Sequence, residues 1–543
     1  MSFMGREWDM KRLFLIIIWL AIFAASCNAN ATTAVPSEQA VAPAEAVTTQ
    51  DTPADEVASP TGEIDWQSIP SSDLFDLPWQ DNEYFKQNLR EDSQHWVEDL
   101  PYASRYRMQV TIPEEMDGIT GQQEVVYTNQ EDAPLNEIVF RLFANINGGA
   151  IETSHVQVNG KSVTSSLSNE DSTLTLRLDE PLEPRQSLLI SMDFDLTIPR
   201  EMGGNYGLFG FFEDVLMLDL FSPMIPVYEE EGGWYDEIPS RNGDFSYNDA
   251  SFYLVKVIAP QDFVMAVCGV EVDRQKGAGT QEVTYALGPA RDFTLAGSTF
   301  FTPITAEQDG VTVNVYGKPG FEDGMVLAQK AALDAIRIFD DLIGPYDYVE
   351  FDVAATPMQA GGIEYPGMTW VFQSYFNLEA DNTPGRSNSI ILESVTAHET
   401  AHQWFYNTVG SDQVETPWLD ESLVQYVTGL YYLENYGDTA YQSIRASWQA
   451  RWTNADYDDI PIGMPSGEYS QVEYSAIVYG RGPLFFEALA QRMGEQTFDD
   501  FLKDYYDQFH WQVAYPEDLQ RLAENHCQCD LNDLFEEWVF PAE

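Results

Sequence analysis

Residues 394–407 read SVTAHETAHQWFYN, a helical pattern that carries two of the chain's six histidines. On a helix His398 and His402, four residues apart, stand one above the other on one face. Both rings can then reach one metal ion at about 2.0–2.1 Å. Glu399 is turned about 100° from His398 and is placed to hold a water beside the ion rather than to ligate it. The competing reading is two helix-face histidines satisfied by ordinary neighbours. A third ligand decides between them, and residues 416–421, TPWLDE, offer one. Thr416 suits an N-cap and Pro417 the first helical position, which puts Glu421 in the first turn of a new helix. Eighteen residues separate His402 from Glu421, enough to end one helix, turn and return antiparallel. His398, His402 and Glu421 leave a fourth position open, the arrangement of a catalytic rather than a structural zinc.

On either side of this centre the hydrophobic period changes. From Tyr106 to about Thr305 the chain shows short alternating runs between turn residues, among them YRMQVTIP (106–113), GQQEVVYTN (121–129) and SLLISMDFDLTIP (187–199). Period two predicts antiparallel β-structure. After VTVNVYG (311–317) the period becomes helical, starting with GMVLAQKAALDAIRIFDDLIG (324–344). Further helices are expected over 387–406, 418–436, 483–493 and 531–539. The expectation is an α+β multidomain chain, with an antiparallel β domain over 96–305 and a mostly helical catalytic domain over 306–543.

Together these motifs closely resemble the gluzincin aminopeptidases, the family of aminopeptidase N and the leukotriene hydrolases. The family pattern is HExxH, eighteen residues, then Glu within Trp-Leu-Asn-Glu-Gly; this chain has HETAHQW and WLDESL. GGIEYPG at 361–367 resembles the family's Gly-x-Met-Glu-Asn element, and YGRG at 479–482 its Tyr-x-Lys-Gly element. The resemblance runs from about Tyr102 to Val539. It implies a β saddle domain before a thermolysin-like domain, one zinc ion on His398, His402 and Glu421, and peptide substrates. It also implies roles: Glu399 as general base, Tyr479 as the phenol facing the oxyanion, Glu364 as the acid for the substrate's free α-amine, and Gly361 and Gly362 as backbone that pairs with the peptide. Ile363, Tyr365, Asp420 and Ser422 replace the family's Met, Asn, Asn and Gly, changes expected to tune the pocket. The acidic loop 228–237, YEEEGGWYDE, is a candidate for the β domain's share of amine binding. Few residues follow Tyr479, which implies a more open cleft than in long family members. Two other readings stay open: a zinc endopeptidase or other hydrolase using the same site, and a surface binding protein with a vestigial metal site.

Arg6, Lys11 and Arg12 precede an apolar run, Leu13 to Ala25, and Ser26-Cys27. That is the order of a secretory signal, too short in its apolar part to span a bilayer comfortably. Residues 24–27, AASC, resemble a bacterial lipobox, so 1–27 is expected to be a signal peptide ending at a lipidated Cys27. Plain secretion and an uncleaved anchor are the alternatives. Residues 28–95 read as a low-complexity tether and lead-in. The expected location is extracytoplasmic, held to the cell membrane only through that lipid. Eighty-eight acids against 27 bases give a net charge of -61, which repels polyanions and argues against nucleic-acid partners. Cys268, Cys527 and Cys529 allow at most one intrachain disulfide. The cluster around His526 lacks the second ligand pair of a structural zinc site.

Overall fold

The computed structural model describes residues 71–540, apart from 230–231, 381–385 and 458. All of these lie within one compact unit, Trp66–Glu543. The expected signal, Cys27 and the tether up to residue 70 lie outside the described residues. Among the described residues no helix is long and apolar enough to cross a membrane.

Period-two sequence becomes sheet as expected. Gly118–Thr128 and Ser187–Thr197 alternate buried and exposed positions along their length, so one face meets the core and the other meets water. They pair antiparallel at the centre of an eight-stranded sheet. One pairing departs from the antiparallel expectation: Arg105–Thr111 runs parallel to Ser251–Pro260. Parallel neighbours need a long crossover, and the chain between them supplies it, adding further strands to the same sheet and forming a three-stranded sheet and part of a four-stranded one on the way. From Ser71 the lead-in is folded, with Leu74, Tyr84, Phe85 and Leu89 in the core.

The second half opens with a five-stranded mixed sheet in the order Ile304–Gln308, Val311–Tyr316, Glu350–Thr356, Met368–Phe372, Gly362–Tyr365. Gly362–Tyr365 is therefore an edge strand, hydrogen-bonded on one side only. The helix Glu322–Leu342 packs against the HExxH helix, Asn388–Ala401, and Trp404 fixes their relation by donating its indole N–H to the Gly344 carbonyl at 2.7 Å. The remaining helices run Glu421–Tyr436, Asp438–Trp452, Gln471–Ala476, Gly482–Met493, Glu495–Gln508, Pro516–Cys527 and Asn532–Trp538. One continuous hydrophobic core joins the sheets to these helices. At the seam Arg291 is fully buried and donates to the carbonyls of Asn407, Thr408, Gln512 and Asn248. Such a guanidinium satisfies loop carbonyls that would otherwise be orphaned.

Three local expectations need correction. The HExxH helix ends at Ala401 rather than at Tyr406, because the chain turns sharply where Tyr406 adopts φ 136. Thr416 makes no side-chain cap; Pro417–Leu419 form a 3-10 turn, and the helix proper starts at Glu421. The helix expected over 483–493 begins earlier, a π-helical turn Ile477–Arg481 running straight into Gly482–Met493. Cys527 and Cys529 form a disulfide while Cys268 is a buried free thiol, and His526 pairs with Asp504.

Candidate active site

His402 is the residue that ends the HExxH helix, and its backbone is still helical (φ -62, ψ -11). It therefore stays one turn above His398. Glu421 opens the following antiparallel helix and meets both rings. His398 Nε2 lies 3.1 Å from Glu421 Oε2 and 3.4 Å from His402 Nε2, and His402 Nε2 lies 3.5 Å from the same carboxylate oxygen. Three ligands at about 2.05 Å in tetrahedral arrangement stand roughly 3.3 Å apart. The triangle of donor atoms thus fits a zinc ion without rearrangement, and the two imidazoles and carboxylate suit its chemistry.

The outer nitrogens are fixed by partners. His402 Nδ1 meets Asp420 Oδ1 at 2.6 Å, and His398 Nδ1 meets the Thr428 hydroxyl at 3.4 Å. A carboxylate on the far nitrogen sets the tautomer that leaves Nε2 free to ligate, and raises its basicity. Asp420 is held in turn by the Gln413 amide at 2.8 Å, and the same amide donates to Glu364 Oε1 at 2.9 Å. Ser246 donates to the Gln413 carbonyl oxygen, so one amide links the ligand shell to the acid on the edge strand.

Glu399 is buried beneath the edge strand. A Cβ on Gly362 would sit 2.2 Å from Glu399 Oε1, so only glycine there leaves room for the carboxylate. Burial pushes the Glu399 carboxyl well above the usual range; the charge on His402 opposes this, and Glu421 and Asp244 add to it. Glu364 behaves alike: burial raises it, His402 opposes, and Asp244 and Asp420 raise it further. For Glu421 burial acts upward too, but hydrogen bonds from His398 and His402 win and hold it below the normal carboxylate range. Tyr479 leaves the π-helical turn to donate its hydroxyl to Glu421 Oε1. Ser422 ties the two elements together through the Val478 carbonyl at 2.6 Å, its side chain filling the space where Gly482 has none.

The structure therefore brings His398, Glu399, His402, Glu421, Tyr479, Glu364, Gly361 and Gly362 to one cleft. It does not bring the described acids of the loop 228–237 there. Of that loop's described acids, Glu229 accepts from Tyr247, Asp236 from Asn169, and the Glu237 carbonyl from Arg141. Asp244 lies nearer instead: with Glu364 it lines a small cavity of ≈ 10 Å³, and its charge acts on both Glu364 and Glu399. Its sequence surroundings, NGDFSYNDA, carry no local signal of this. Gln413 and the seat of Asp420 were also beyond sequence reading, although Asp420 adjoins the ligand.

Residues 329–538 match the model described as the peptidase family M1 domain. The chain is 22% identical to Aminopeptidase 2 of Candida albicans over 73% of its own length and 43% of that protein. It is 23% identical to Aminopeptidase N of Lactobacillus delbrueckii subsp. lactis over 47% and 30%. The chain spans less than half the length of these curated relatives. The M1 zinc metallopeptidase from Deinococcus radiodurans superposes with a TM-score of 0.60 at 21% identity, covering 81% of this chain and 94% of that one. A variant of the same enzyme bound to a Tyr-Ser-Ala substrate gives 0.61, 21%, 81% and 95%. These structures share the fold.

Proposed function

We propose that this chain, whose residues 329–538 match the peptidase family M1 domain, is a zinc-dependent aminopeptidase of the gluzincin family that removes residues from the N-termini of peptides. The observation that carries this reading is the triangle of His398, His402 and Glu421 donor atoms with Glu399 and Glu364 in the same cleft. Zinc held there supplies Lewis acidity, both to a water and to the scissile carbonyl. Glu399 takes the water's proton and returns it to the leaving amine; burial raises its carboxyl above the usual range. The Tyr479 hydroxyl, next to the ligand shell, donates to the oxyanion as charge develops. Glu364 and Asp244 repel one another, and a substrate ammonium relieves that repulsion while gaining charge-assisted hydrogen bonds. The free edge of Gly362–Tyr365 holds the peptide by extended backbone pairing.

Amino-acyl anilides and their N-acetylated counterparts test this reading. We expect cleavage of the free amines only; equal cleavage of blocked substrates would make the enzyme an endopeptidase. Glu399→Gln should retain zinc and lose at least about 10²-fold in kcat, and near-normal turnover would remove Glu399 as the base. Location follows from residues 1–27 as a lipoprotein signal, placing the enzyme outside the cytoplasm on an acylated Cys27. Labelling with a fatty-acid precursor, lost in Cys27→Ala, tests that part.

A further inference from the structure

The outer face of the eight-stranded sheet carries a groove of ≈ 370 Å³ that shares no residue with the catalytic cleft. The size is that of a small-ligand site, about 300–1,000 Å³, but such sites are mostly apolar and this one is not. Residues directly opposite on neighbouring strands share a face, and four adjacent strands line up two polar rows. In the first, Arg107 stands opposite Glu124, Glu124 opposite Ser191 and Ser191 opposite Gln157. In the second, Gln109 stands opposite Gln122 and Gln122 opposite Asp193. Among the described residues the side chains of Gln109, Gln122, Glu124, Gln157 and Ser191 form no hydrogen bond to protein. Their donors and acceptors are left for whatever occupies the groove.

Both ends of the groove are built. The strand Ala150–Val158 bulges where His155 and Val156 together oppose Met192, and His155 takes the left-handed φ 52. A bulge re-aims a side chain, and this one brings His155 Nδ1 to 2.8 Å from Asp193 Oδ2. At the opposite end Arg107 is buried, with its guanidinium over the Trp79 ring at 4.0 Å. It donates to the Phe75 carbonyl at 3.0 Å, which fixes the lead-in against the sheet and makes Phe75 an aromatic end wall. The floor strands are each paired on both sides, so side chains rather than backbone read the ligand.

We propose that this groove binds a neutral oligosaccharide, so that the enzyme adheres to glycan through its β domain, apart from its peptide chemistry. Glu124 faces Arg107 and Asp193 meets His155, so neither acid stands unopposed to attract a cation. A chain of net charge -61 repels polyanions. Sugar hydroxyls both donate and accept, as carboxamides do, and the C–H face of a sugar ring suits the negative face of an aromatic ring such as Phe75. From Arg105–Thr111 to Ala150–Val158 is three strand spacings, about 14 Å, room for two or three sugar rings end to end.

The test is calorimetric titration of the whole zinc-loaded chain with cellotriose, maltotriose and chitotriose, beside a heparin tetrasaccharide and triglycine. At least one neutral trisaccharide should bind with millimolar or tighter Kd, and neither of the other two ligands should. In the double variant Gln122→Ala, Gln157→Ala that affinity should fall at least about tenfold, the loss expected of two hydrogen-bonding amides. Asp193→Ala should weaken it too, and kcat/KM for an amino-acyl anilide should stay at the parent value in every variant. No binding of any of the three sugars at millimolar concentration, affinity unchanged in the double variant, or preference for heparin or triglycine would overturn the proposal. Sedimentation with insoluble cellulose and chitin separates the two sources of such a ligand. Retention that soluble trisaccharide releases points to a polysaccharide surface, binding of the trisaccharide alone points to free sugar, and either supports the site. Failure here leaves the aminopeptidase reading intact, since no residue is shared.

Discussion

Gly362→Ala is the sharpest probe of how Glu399, the proposed general base, is held. The added methyl would stand 2.2 Å from Glu399 Oε1, 2.5 Å from Cδ and 2.6 Å from Cγ. Ordinary contact begins near 3.4 Å, so the carboxylate must retreat by the difference, about 1.2 Å. It cannot do so by swinging its tip alone, because Cγ is also overlapped. A catalytic group misplaced by 1 Å costs about 10²-fold, so kcat for an amino-acyl anilide should fall by roughly that factor. Zinc content and thermal unfolding should stay near the parent values, since neither ligands nor core are touched. Gly361→Ala is the matched comparison: its Cβ would meet only the Tyr375 hydroxyl and Val395 at 3.9 Å, and its loss should be much smaller. Parent-like kcat in Gly362→Ala, or equal damage from both, would refute the claim that glycine is needed there to seat Glu399.

Tyr479→Phe should lower kcat by about 10²- to 10³-fold with little change in KM, as expected for a donor acting on developing charge; a pure KM effect in steady-state kinetics would contradict this. Asp420→Ala removes the carboxylate from His402 Nδ1 and should weaken zinc about 10- to 100-fold in competition with a chelator. Stability should fall as pH rises through neutrality. Burial pushes Asp219 and Asp292 up to about 7, against hydrogen bonds from Tyr365 and Tyr406 respectively. Their unfolded value is about 3.9. A group raised in the folded state contributes fully below its unfolded pKa and loses that contribution as pH climbs through the folded one. The urea midpoint should therefore be lower at pH 8.5 than at pH 5.5, and Asp292→Asn should flatten the difference.

The parts of the site that were legible in sequence share a cause. The HExxH spacing is local geometry: four residues on a helix can place two rings on one ion and little else. The strand and helix periods are local too, and they showed a chain of β-strands followed by mostly helices, although a five-stranded sheet opens the helical part. Reading failed where the long range competes with the local pattern. Trp404 and Phe405 continue a helical rhythm, yet both are buried in a turn, since packing against Gly344 and the seam at Arg291 outweighs propensity. YGRG looks like a turn, yet it is wound into a helix whose glycines admit Ser422 and the helix of Arg451.

By itself the sequence singled out the His-His-Glu cluster, the candidate base and the order of a β part before a mostly helical part, because each is written in spacing over a few residues. Only the tertiary structure decided which acid joins Glu364 and which carboxylate steadies His402. Those groups come from segments tens to hundreds of residues apart. Their electrostatics depend on separations of a few ångströms inside a low-dielectric cleft, and no one-dimensional pattern encodes such distances.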